Sequence, residues 1–284
     1  MKVLLVCKLN KARSIFGAAI LNSIYPLLEV HSAGIAAIDN SPVSKEVLDI
    51  AKRWNLQGLK VFSKNIENFR TDLGNFEMII AADTEVHSWL KEHAFEFNST
   101  CFQDSALDNE FCPLDPISMS RQKMEIELAK VAHSVIRVVD QKIHDSRIHP
   151  IKVFIPISQS DSELAFNFAL LEHIDLGGFL VDADFRAPYF ASKSEEIPIK
   201  IFDLFEQKQE IYQLFQAGDI LTPSREFSNP ESILVSMYWT TFVIELSKLA
   251  PVVILTAPRF VNKNEVADSY LASSLATSVT TIGA

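Results

Sequence analysis

The stretch VLLVCKLNKARS, residues 3–14, decides how the first half of this chain is read. Its apolar run, Val3 to Val6, has the length of a short buried strand. The segment Ser14–Ile24 then carries apolar residues at i, i+3, i+4 and i+7, the period of a helix. Cys7 therefore stands where a parallel strand gives way to a helix, a favoured ligand position in open α/β sheets.

Outward from this point the first half alternates. Strands are expected at Val3–Val6, Glu29–Ser32 and Met78–Ala82, with a weaker one at Ser99–Phe102. Helices are expected at Ser14–Ile24, Ser44–Trp54, Glu85–Glu92 and Ser118–Ile143, the last with Met124, Leu128, Val131 and Val135 on one face. The polar stretch HDSRIHP, closed by Pro150, reads as a boundary. A second alternation follows: strand IKVFIPI, helix SELAFNFALLEHI, strand GFLVDAD, a long helix over 231–249, strand PVVIL, helix NEVADSYLASSL and strand SVTTI. Strand–helix alternation implies parallel sheets with helices on both faces. The expectation is an α/β protein of two doubly wound domains, residues 1–147 and 148–284.

Composition narrows the function. A net charge of −10 argues against non-specific attraction to nucleic acid or an anionic membrane. The apolar core of MKVLLVC is too short for a secretion signal and is followed at once by KLNKAR. The longest later apolar run, Ile233–Ile244, is too short to span a bilayer, so no membrane insertion is expected. Three cysteines, sparse and odd in number, fit a reducing cytosol. Only 8 glycines occur in 284 residues, against a usual share of about 7%, so loops that wrap phosphate with glycine are few.

If CKLNKAR wraps at a helix start, the backbone amides of Lys8, Leu9, Asn10, Lys11 and Ala12 converge on one point, and the helix dipole adds positive charge there. A thiolate at Cys7 is favoured, with a pKa below the free value of about 8.5. Arg13 can grip two oxygens of a tetrahedral anion, and Ser14 can hydrogen-bond the sulfur. The result is a nucleophile aimed at phosphorus inside a cup of donors. Such chemistry also needs an acid for the departing oxygen. PLDPIS, residues 113–118, supplies Asp115, which Pro116 keeps out of helical geometry. The bland alternatives are a buried inert cysteine and an aspartate that merely opens a helix.

At these residues the sequence resembles the low-molecular-weight protein tyrosine phosphatases, over roughly residues 1–145. The matching positions are Cys7, Asn10, Arg13 and Ser14, then Asp115 and Pro116; HSAGI (31–35) and FEMIIAADTEVH (76–87) resemble further segments of that family. The resemblance implies a cysteinyl-phosphate intermediate, with Arg13 and the loop amides holding the oxygens and Asp115 as acid, and no metal or organic cofactor. Three positions depart from the pattern. Leu9 replaces the usual glycine, which predicts a strained or crowded loop. Lys8 and Lys11 add positive charge, and Ile117 stands where an aromatic often walls the substrate ring. Arsenate reductases share this fold and shuttle a disulfide, for which Cys101 and Cys112 are the available thiols.

GFLVDADFRAP, residues 178–188, resembles the variant Walker motif of bacterial tyrosine kinases at Asp182, Asp184, Arg186 and Pro188. The resemblance covers about 151–284. A phosphate loop needs glycines, a lysine and Ser/Thr, yet the corresponding positions read Ser158, Gln159, Ser160, Asp161 and Ser162, and Leu255 stands at the Walker B aspartate. This half is expected to bind no ATP. The expected partners are a phosphotyrosine protein such as a bacterial tyrosine autokinase, with exopolysaccharide synthesis as the implied setting, and a second copy through the C-terminal half. The rival reading is a non-catalytic phosphotyrosine-binding adaptor.

Overall fold

The computed structural model describes residues 1–93, 99–102, 112–143, 150–156, 158, 161–189, 199–203, 215–257 and 263–282. The stretch 144–149, Ile157, Gln159 and Ser160, all used above, lie outside the described residues. The chain divides into two compact units, Met1–Val139 and Asp140–Ala284. Both are α/β, with parallel sheets flanked by helices.

In the first unit β1 (Lys2–Cys7), β2 (Glu29–Gly34), β3 (Met78–Ala81) and β4 (Ser99–Cys101) form a parallel sheet in the order β2-β1-β3-β4. The helices are α1 (Arg13–Ile24), α2 (Lys45–Arg53), α3 (Thr84–His93) and α4 (Arg121–Ile143). β1 reads as a continuous apolar run because both its faces are covered. Leu4 and Val6 pack with Ile79, Val86 and Leu90 on one face. Leu5 points to the other, towards α1 and α4, where Gly17 comes so close that an added Cβ would lie 2.7 Å from Leu5 and 3.0 Å from Val135. α2 is tied to α4 by the Arg53–Glu125 ion pair, and Trp54 Nε1 also donates to Glu125 (3.4 Å). α4 starts at Arg121, later than Ser118, because Ser118 adopts φ +70° and cannot be helical.

The second unit contains β5 (Ile151–Pro156), α5 (Ser162–Leu176), β6 (Phe179–Asp182), β7 (Lys200–Phe202), β8 (Ile220–Pro223), α6 (Glu231–Leu234), α7 (Met237–Leu249), β9 (Val253–Thr256), α8 (Lys263–Ala272) and β10 (Ser278–Ile282). Its six parallel strands run in the order β10-β5-β9-β6-β8-β7. Two short strands, β7 and β8, have no counterpart in the sequence reading. The single helix expected over 231–249 is two: Ser236 is extended and its hydroxyl accepts from Trp239 N–H (3.3 Å), starting a new helix. At the start of α5, Asp161 Oδ2 accepts from Ser158 N–H (3.1 Å) and Ser158 Oγ–H (2.6 Å). After β6, Arg186 is clamped between buried Asp268 (2.5 Å) and Glu231 (2.9 Å). Burial and the neighbouring Glu231 push the Asp268 carboxyl up to about 8 despite that arginine. Among the described residues, no helix is long and apolar enough to cross a membrane.

Candidate active site

β1 ends at Cys7, with Gly34 of β2 beside it in register. The chain turns through residues 8–12 into α1, which has no side-chain cap at Ala12 and no acidic residue in its first turn. The positive end of this helix is thus not spent on a carboxylate of its own first turn, the condition that favours an external anion.

The carbonyls of Cys7, Lys8 and Lys11 accept from the amides of Ile35 (3.0 Å), Ala36 (2.9 Å) and Ser44 (3.2 Å). In a planar trans peptide the N–H opposes the C=O, so the amides of Lys8, Leu9 and Ala12 point away from those partners. Ala12 is buried and its carbonyl accepts from Phe16 N–H (2.9 Å), the first helical bond. The tight turn falls on Asn10, at φ +52°, a conformation Asn tolerates better than most residues. Leu9 is outside the left-handed region and 37% exposed, so the strain expected from losing a glycine there does not arise. The glycine that matters is Gly34: an added Cβ would lie 2.7 Å from Asn10 N and 2.8 Å from Leu9 C.

Buried Cys7 Sγ receives the Asn10 N–H at 3.2 Å and lies 3.0 Å from Ser14 Oγ. Asn10 Nδ2 donates to that same hydroxyl oxygen (2.8 Å), which leaves the Ser14 proton to point at sulfur. Asn10 Oδ1 in turn accepts from Lys64 N–H (2.8 Å).

Arg13 is buried and its fork is spread over two carboxylates. Nη1 donates to Asp83 Oδ2 (2.8 Å) and Nη2 to Asp115 Oδ2 (3.3 Å). Asp115 is held from below by Ile117 N–H, which donates to Oδ1 (3.2 Å), while its side chain stays 46% exposed. The preceding Leu114 N–H is anchored on Glu127 of α4 (2.6 Å). Ile117 itself is half-buried, and Lys11 likewise. Lys8 is exposed and pairs with Glu85 at the start of α3 (2.8 Å); that bond, with the fields of Asp83 and Asp115, holds its ammonium pKa above the ordinary lysine value.

Asp83 was missed by the sequence reading. It lies two residues beyond β3, accepts Val86 N–H as the opening of α3 (2.8 Å) and grips Arg13 at once. The available signal was its place at the carboxyl end of the strand beside β1. Cys101 is not near enough to pair with Cys7. It is opposite Ala81, which is opposite Val6. Two strand spacings of about 4.8 Å put it roughly 10 Å away, beyond the Cα separation of about 7 Å that a disulfide allows.

Cys7 ends β1, Arg13 opens α1 and Asp115 contacts Arg13, and comparison with known families gives the class of the protein as a phosphatase. The sequence model of the low molecular weight phosphotyrosine protein phosphatases matches residues 2–164, more than half of the chain, and the chain belongs to that family. No curated protein matches it significantly. Among solved structures it is similar to the tyrosine phosphatase AmsI of Erwinia amylovora, at 16% identity over 49% of this chain and 91% of that one, TM-score 0.44. It is similar to the tyrosine phosphatase Wzb of Escherichia coli K30 in complex with sulphate, at 16% identity over 50% and 97%, TM-score 0.44. It is also similar to the YwlE arginine phosphatase of Geobacillus stearothermophilus, at 19% identity over 51% and 94%, TM-score 0.45.

Proposed function

We propose that the chain hydrolyses phosphotyrosine in two displacements. Cys7 thiolate attacks phosphorus; the P–O bond to the tyrosine breaks as Asp115 gives its proton to the departing oxygen. Water then attacks the cysteinyl-phosphate, the Asp115 carboxylate takes the water's proton, and the P–S bond breaks to release phosphate and thiolate. Arg13 and the loop amides hold the oxygens throughout. A protonated Asp115 is a weaker partner for Arg13 than its carboxylate, so the protonation that arms the acid also hands Nη2 to the phosphate. The observation that carries this reading is the pair of donors on Cys7 sulfur, Asn10 N–H and Ser14 O–H, beside the Arg13–Asp115 contact.

The test is turnover of p-nitrophenyl phosphate and of a phosphotyrosine peptide, with a phosphorylated Cys7 trapped by acid quench in Asp115→Asn. Peptide binding without turnover would replace the enzyme by the phosphotyrosine-binding adaptor. The distance from Cys7 to Cys101 disfavours an arsenate-reducing relay that pairs those two cysteines.

The second unit we read as a degenerate relative of bacterial tyrosine kinases that serves as a scaffold, docking a tyrosine kinase of exopolysaccharide synthesis or pairing with a second copy. Support comes from Asp161, whose carboxylate already occupies the start of α5 where a phosphate would sit, and from the exposed apolar row Leu164, Phe168, Leu171 and Ile174 on the same helix. Mg-ATP is expected to leave the melting temperature unchanged; micromolar binding would overturn the scaffold reading.

A further inference from the structure

A cavity of about 330 Å³ lies between β2, the sheet's edge strand, the α1 residues Ala18 and Asn22, and the segment 58–64. Asn10 forms part of its wall, whereas Cys7, Arg13 and Asp115 do not line it. It is therefore distinct from the phosphate site while sharing one residue with it. We propose that this cavity binds a small organic anion carrying an apolar ring, and that its occupancy is felt at Cys7 through Asn10.

The ligand class follows from the wall. Lys60 and Lys64 line it, and no carboxylate does, in a chain of net charge −10. His31 also lines it, its Nε2 2.8 Å from the Glu29 carboxylate, which is not itself a wall group. The rest of the wall mixes the polar side chains of Asn10, Asn22, Ser32 and Asn40 with apolar and aromatic groups, among them Phe69, under the Lys64 ammonium at 5.7 Å, and Phe62, which is 55% exposed. Cations beside rings suit an anionic group attached to a flat apolar body. The volume is at the low end of ligand pockets, about 300–1,000 Å³, so one or two fused rings fill it.

The coupling follows from three hydrogen bonds in series. Lys64, a wall residue, donates its N–H to Asn10 Oδ1; Asn10 Nδ2 donates to Ser14 Oγ; and Ser14 lies against Cys7 sulfur. Asn10 also gives its own N–H to that sulfur from a left-handed backbone. A ligand that displaces 58–64 alters the hold on Asn10, and with it both donors to the nucleophile.

The probe is 1-naphthoate, titrated into the intact chain by calorimetry with and without saturating orthovanadate. One saturable site with a Kd below about 1 mM is expected, unchanged by vanadate. Lys60→Met and Lys64→Met should each weaken it several-fold and together at least tenfold, and neutral 1-naphthamide should bind at least tenfold more weakly. Phe62→Ser should weaken it while retaining p-nitrophenyl phosphate turnover, which shows that the protein is folded. At saturation, 1-naphthoate should change kcat at least twofold without raising KM. No saturable binding, displacement by vanadate, or indifference to both lysine changes would overturn the site. Binding with kcat unchanged would overturn the coupling; a chain that binds the probe but turns over no phosphate ester would refute the phosphatase reading and leave the site standing.

Discussion

The Arg13 guanidinium and the Asp115 carboxylate lie 3.3 Å apart, although 102 positions separate them in the chain. A buried base-side residue and an exposed acid thus share one contact at the mouth of the phosphate loop. On the proposed mechanism Asp115, the acid, is positioned by the same group that would hold the substrate's oxygens, so a lesion at either is felt at both.

Replacing Asp115 by Asn removes the proton donor and keeps the shape. General acid catalysis contributes about 10²–10⁴-fold, so kcat/KM, which reports the first displacement, should fall in that range for phenyl phosphate. The loss should be smaller for p-nitrophenyl phosphate, whose leaving group needs less help. Equal losses for both esters would argue that Asp115 acts only by orienting Arg13.

Asp83→Asn tests the residue that the sequence reading overlooked. A hydrogen bond to a charged group is worth about 1.5–3 kcal/mol, so kcat/KM should drop about ten- to hundredfold. Asn keeps an oxygen for Val86 N–H, so the unfolding midpoint should change little. A large loss of stability with unaltered kinetics would make Asp83 a helix cap and nothing more.

Gly34→Ala places a methyl group 2.7 Å from Asn10 N. The backbone must yield on one side or the other, at about 1–3 kcal/mol of stability. Because the yielding group is the loop that faces Cys7, turnover should fall more than this cost implies. Measured kcat together with urea unfolding separates the two effects.

Asp268 gives a pH signature to the second unit. Its folded pKa, about 8, stands above the ordinary aspartate value of 3.8, so the native state holds a proton that the unfolded chain has released in between. Stability should therefore decline as pH rises from about 4 through 8. Thermal melts across that window should show the slope, and Asp268→Asn should flatten it. A melting point that climbs with pH over this range would contradict the assignment.

Much of this architecture was legible before any coordinates. Val3–Val6 followed by a helical period placed Cys7 at a strand end, and Pro116 placed Asp115 in a loop; both are local patterns. What escaped depends on distant pairing. Asp83 becomes part of the site only because β3 is beside β1. The positive φ settles on Asn10 and not Leu9, because contacts with Gly34, Lys64 and Ser14 choose the turn residue. β7 and β8, KIF and ILTP, are too short to show a period. The helix break at Ser236 arises from a hydroxyl competing for a backbone amide inside an otherwise helical apolar run.

The carboxylate of Asp161, tucked against Ser158, has a physiological corollary. A carboxylate placed where a phosphate would have to approach opposes stabilisation of the second unit by a phosphorylated metabolite. If that unit binds no nucleotide, as proposed, its stability would be the same in starved and well-fed cells.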